Sequence, residues 1–154
     1  TAVLVDEKDA EVGTFTGYSL IEEVPPGTRA PVSILIHDPP KHASIRYEFK
    51  PEQADYLPAA VKGLRVEALD PKRARFGGWK VEGKVISESE QSAKFVKIVI
   101  QAFDAKGKLI GAQSTYADDE TLAPGGTARW QTLSMEIAGK PDHFEYSVSA
   151  RVAE

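Results

Sequence analysis

The stretch AKFVKIVIQAFDAKGKLI, residues 93–110, decides the fold class. Phe95, Val96, Ile98, Val99, Ile100 and Phe103 form a β-branched and aromatic run that favours a strand over a helix. Asp104-Ala105-Lys106-Gly107 then reads as a hairpin turn: the Asp side chain accepts local backbone N–H groups and the Gly supplies a positive φ. Leu109 and Ile110 open the returning strand. Downstream, residues 127–137 predict a further strand with Leu133, Met135 and Ile137 on one face. Phe144, Tyr146, Val148 and Ala150 alternate with polar residues in a last strand, wet on one side.

Upstream, Trp79, Val81, Gly83 and Val85 alternate in the same way, and Leu64, Val66 and Ala68 predict a short opening strand. Six or seven strands with turns between them across residues 64–154 point to a sandwich or barrel. Helical periodicity is nearly absent.

An internal repeat organises the rest. Sliding the chain by 98 positions lays residues 5–27 on 103–125 without a gap, with seven identities. These are Asp6/Asp104, Lys8/Lys106, Gly13/Gly111, Tyr18/Tyr116, Glu22/Glu120, Pro26/Pro124 and Gly27/Gly125. One inserted residue later, Ile45, Tyr47 and Phe49 fall on Phe144, Tyr146 and Val148. The identities are mostly turn residues and the similarities mostly strand residues, as a shared backbone requires. The expected fold is therefore all-β: two tandem immunoglobulin-like β-sandwich units, the N-terminal one lacking its first strands. The expected division is a partial unit over 1–50, a linker over 51–63 and a complete unit over 64–154. Strands are expected near 1–5, 10–20, 28–36 and 43–50, and a helical turn, limited by Pro58, over Ala54–Lys62. Matching the two copies places the start of the first about 34 residues ahead of Thr1. A sandwich short of strands exposes its core and edges, so a protein partner or a second copy is expected to complete it.

The second copy resembles the FxLYD domains. Gly77-Gly78-Trp79-Lys80-Val81-Glu82-Gly83-Lys84-Val85 is similar to their opening Val-x-Gly-x-Val strand. Val99-Ile100-Gln101-Ala102-Phe103-Asp104 is similar to the motif that names the family, and Leu122-Ala123-Pro124-Gly125 to its apolar-x-Pro-Gly signature. Ile100, Ala102 and Phe103 depart from the named residues, and Ser87 stands where Asn is usual. In the first copy Ala2–Asp6 and Val24-Pro25-Pro26-Gly27 match more loosely. The resemblance implies a small bacterial β-sandwich, usually extracytoplasmic (periplasmic or cell-surface), without catalytic residues. It transfers no site.

Composition narrows the function classes. The net charge is −4, and residues 64–154 balance 13 basic against 13 acidic side chains, so the acidity lies in the first 63. Neither half carries the basic stripe that phosphate neutralisation needs, which argues against nucleic acid. With no cysteine there are no disulfides, thiolate nucleophiles or cysteine zinc sites. The longest apolar run is too short to span a bilayer.

Candidate chemistry is sparse. His37-Asp38-Pro39-Pro40-Lys41-His42 holds two imidazoles and a carboxylate that would suit zinc if the turn folded them inward, but Asp-Pro-Pro is a turn between strands and Lys41 repels a cation. Asp118-Asp119-Glu120 has the charge for Ca²⁺, yet consecutive residues on an extended chain point alternately to opposite faces. Trp79, Trp130 and Tyr116 are candidates for a sugar-binding platform, with core packing as the competing reading. No nucleophile elbow or phosphate loop occurs. These readings yield no catalytic, cofactor-binding or metal residue. The expected function is a non-catalytic module for protein–protein interaction or structural spacing. The alternatives are a carbohydrate-binding module and a small hydrolase with an unrecognised site.

Overall fold

The structure, a computed structural model, describes residues 1–53, 57–75 and 77–153. Among the described residues there is no helix, and every strand pair is antiparallel. No helix is therefore long and apolar enough to cross a membrane. The chain divides into two compact units, Thr1–Asp55 and Tyr56–Glu154.

The first unit holds β1 (Ala2–Val5), β2 (Glu11–Phe15), β3 (Tyr18–Ser19), β4 (Val32–Ser33) and β5 (Ser44–Tyr47). β1 is central in a sheet of order β2-β1-β5, and β3 pairs with β4 in a second, two-stranded sheet. The strand expected near 10–20 is split at Thr16-Gly17. A Cβ on Gly17 would overlap the Ser33 carbonyl, so the chain crosses itself too closely there for any larger residue. The strand expected over 28–36 shrinks to two residues.

The second unit holds β6 (Leu64–Ala68), β7 (Lys72–Arg73), β8 (Trp79–Lys80) and β9 (Glu82–Ser87). β10 (Ala93–Phe103), β11 (Leu109–Tyr116), β12 (Thr121–Leu122), β13 (Thr127–Gln131) and β14 (His143–Val152) follow. One sheet has the order β11-β10-β14, with β12 also on β10, and the other has the order β13-β9-β6. Val81, Val85 and Trp130 meet Val96, Ile98 and Ile100 in one continuous core. That is a sandwich-like arrangement of two sheets, each offering one apolar face. The alternation at Val81, Gly83 and Val85 puts both valines fully inside.

Two further expectations need correction. The strand predicted over 127–137 ends at Gln131, because Thr132 turns to bond the neighbouring chain. Its N–H donates to the Val81 carbonyl at 2.8 Å, and its Oγ1 accepts the Val81 N–H at 3.1 Å. Leu133 is thereby thrown outward while Met135 returns to the core, bonded through its backbone to Trp79. The helical turn expected over 54–62 lies outside the described residues at 54–56, and from 57 to 62 the chain is not helical. There the Val61 N–H donates to Ala150 at 3.0 Å, and the Val152 N–H to Ala59 at 3.0 Å.

The turns at Asp6 and Asp104 are bonded alike. Asp6 Oδ1 accepts the N–H groups of Lys8 and Ala10 at 2.8 and 2.9 Å, and Asp104 Oδ1 accepts those of Lys106 and Lys108 at 2.8 and 2.9 Å. Each turn closes with a residue at positive φ, Asp9 at 63° and Gly107 at 73°. Asp is among the few residues that tolerate that region. Each is preceded by a β-bulge, between Leu4 and Val5 and between Ala102 and Phe103.

The correspondence runs further at the same spacing of 98. Ser19 pairs with Val32, and Ala117 with Trp130. The Leu20 N–H donates to Pro31 at 2.9 Å, and the Asp118 N–H to Arg129 at 2.8 Å. After the one-residue insertion, Leu4 pairs with Ile45 and Ala102 with Phe144.

Candidate interaction face

Side chains at matching positions in these two sheets meet different surroundings. In the second unit Ile110, Phe144, Tyr146 and Val148 pack against the core, and Trp130 is 1% exposed. Tyr146 and Trp130 meet at 5.9 Å between ring centres. Their matching residues in the first unit face solvent: Val12 is 36% exposed, Ile45 40%, Tyr47 59%, Phe49 76% and Val32 39%. Ile45 and Tyr47 stand on β5 opposite Leu4 and Ala2, both fully buried. A row of large apolar side chains beside a buried strand exceeds the scattered single exposures that a surface normally carries.

What covers the matching face of the second unit is the sheet β13-β9-β6. β13 reaches that sheet by pairing with β9 on one edge, Trp130 opposite Gly83 and Gln131 opposite Glu82. Among the described residues its match in the first unit, β4, pairs only with β3. One edge of β4 thus offers backbone N–H and C=O groups to an incoming strand.

The outer surface of β13-β9-β6 is polar and charge-balanced. Glu67 lies between Lys84 at 2.8 Å and Arg65, and Lys80 meets Glu82 at 2.5 Å. Lys84, then Arg65, hold the Glu67 carboxyl below its ordinary value, and Lys80 does the same to Glu82. Glu67, followed by Glu88, raises Arg65 in return. Such exposed pairs contribute little to stability. A shallow cavity of about 710 Å³ lies over this surface, lined by Glu67, Glu82, Lys84, Asp118, Arg129 and Gln131 among others. Of its charged side chains, Lys84 pairs with Glu67 across it and Glu82 pairs with Lys80 at its margin. Within the sandwich edge, burial, then the negative charge of Asp70, pushes the Tyr146 hydroxyl up.

The candidates read from sequence fall as follows. His37 and His42 are exposed, and the His42 ring Nδ1 sits 2.8 Å from the Pro40 carbonyl, tied to its own turn. Asp118, Asp119 and Glu120 are exposed in the connection between β11 and β12. Among the described residues no group of three His, Asp or Glu side chains could hold a metal ion. The three aromatics form no common platform. Trp130 is inside the core, the Trp79 ring is faced by the Arg73 guanidinium at 4.6 Å and by Phe144 at 5.9 Å, and Tyr116 is exposed.

Sequence reading missed two exposed aromatics as surface features. Phe95 was counted in an apolar run, but it sits at φ 52° where β10 bulges between Lys94 and Lys97, and is 66% exposed. Phe49 was matched to Val148 without any sign that its cover differs. Comparison of the chain with protein-family models, with curated proteins and with solved structures finds no match.

Proposed function

We propose that this chain is a non-catalytic interaction module built from two related immunoglobulin-like β-sandwich units, and that the apolar face of the first is its contact surface. The observation that carries this reading is the exposure of Ile45, Tyr47 and Phe49 where their matches at Phe144, Tyr146 and Val148 are packed. The shared turns, bulges and strand register support the tandem relation. The FxLYD resemblance supports an extracytoplasmic, bacterial setting.

If Tyr47 and Phe49 serve contact rather than folding, they can be charged at little cost. The double variant Y47E/F49E is expected to keep its urea midpoint, changing stability by about 0.5 kcal/mol or less. It is also expected to lose at least about tenfold in affinity for the uncharged apolar dye Nile red, since two of the largest exposed apolar groups are gone. A variant that unfolds early, or one that binds the dye as the parent does, would show that these side chains are structural or irrelevant.

A further inference from the structure

We propose that the open face of Thr1–Asp55 binds by strand addition: a partner polypeptide lays an antiparallel strand along the free edge of β4 and places its alternate, aliphatic side chains over Ile45, Tyr47 and Phe49. This rests on the interaction-module reading and specifies the partner's chemistry.

The second unit supplies the pattern. There β9 pairs antiparallel with β13, and Val81 and Val85 point onto the face made by β10 and β14. β4 matches β13, down to the Ser19–Val32 and Ala117–Trp130 pairings. Among the described residues no strand occupies the place beside β4 that β9 takes beside β13. Strand addition satisfies the free backbone groups in any sequence, and alternate side chains set the specificity.

The match also predicts a difference. Gly83 lies between Trp130 and Ala68, where a Cβ would overlap the Glu67 carbonyl oxygen of β6 and stand 2.9 Å from both the Ala68 Cα and the indole Cζ2. Val32 stands in the place of Trp130 and is much smaller, and among the described residues no strand stands in the place of β6, so the strand opposite Val32 has room for a large aliphatic residue where β9 has glycine. The incoming strand therefore reads aliphatic at three alternate positions. Charge sets its flanks: residues 1–63 hold 10 acidic against 6 basic side chains, so a strand with lysines on its outward positions is steered toward the unit.

The test uses the full chain and three synthetic peptides of the sequence of residues 79–88: unchanged, with Gly83→Leu, and with Gly83→Asp. Binding is followed by amide chemical-shift changes in the labelled chain. The Leu peptide is expected to saturate, to bind about tenfold more tightly than the unchanged one, and to move the amides of Val32, Ser33, Ile45 and Tyr47. The Asp peptide is expected not to bind. Absence of saturable binding by the Leu peptide overturns strand addition, as do shifts confined to other residues or equal binding of the Asp peptide. If Y47E/F49E nevertheless keeps its stability and loses the dye, the face remains a contact surface and only the strand mode fails.

Discussion

Replacing Trp130 with alanine is expected to destabilise the second unit by about 3–5 kcal/mol, whereas Val32→Ala in the first costs about 0.5 kcal/mol or less. The two residues hold matching places, each paired with the strand end that follows its hairpin. Their surroundings decide the difference. Trp130 is wholly enclosed, its ring against Tyr146 and its edge over Gly83, so truncation leaves a cavity that two bonded sheets cannot collapse to fill. Val32 is more than a third exposed, and its loss removes little buried area. Urea unfolding of each variant, followed by circular dichroism, checks both. Similar losses at the two positions would mean that the first unit is as closed as the second.

Gly83→Ala is the second change with a large expected effect, about 3 kcal/mol of overpacking strain. Its new methyl group would overlap the Glu67 carbonyl oxygen and stand 2.9 Å from the Ala68 Cα and the Trp130 Cζ2. Two of these are backbone atoms of the paired strand β6, which cannot swing aside as a side chain can. Relief requires β6 and β9 to separate around Ala68 and Gly83, the last pair of their ladder. A drop in urea midpoint with raised exchange of β6 amides is the expected result. An unchanged midpoint would mean that the sheet carries slack that its register does not suggest.

How much of this was legible in the sequence follows from what each signal depends on. The hairpin at Asp104 was readable because an Asp carboxylate bonding two backbone N–H groups and a Gly at positive φ are local facts of three or four residues. Its twin at Asp6, where Asp9 takes the place of the glycine, was readable through the repeat, which carried the register with it. Alternation placed Val81 and Val85 correctly inside, since period two maps directly onto the faces of a strand. The end of the strand at Gln131 was hidden because it depends on Thr132 bonding Val81, a residue 51 positions away. The exposure of Phe95 was not legible because a bulge shifts the alternation by one residue, and nothing in the run Phe95-Val96-Lys97 announces it. The contact face itself was half legible: alignment named Ile45, Tyr47 and Phe49 as sheet residues, while their exposure depends on which strands lie over them.

Residue-resolved hydrogen exchange on the full chain tests most directly whether one backbone plan is used twice here, once covered and once open. Leu4 and Ala102 hold matching places in their ladders, Leu4 opposite Gly13 and Ile45, Ala102 opposite Gly111 and Phe144. Amides at Ile100 and Ala102 are expected to exchange only through global unfolding, and those of Val3 and Leu4 at least about 100-fold faster through opening of the first unit alone. Equal protection of the two strands would contradict the open first unit, and with it the contact face.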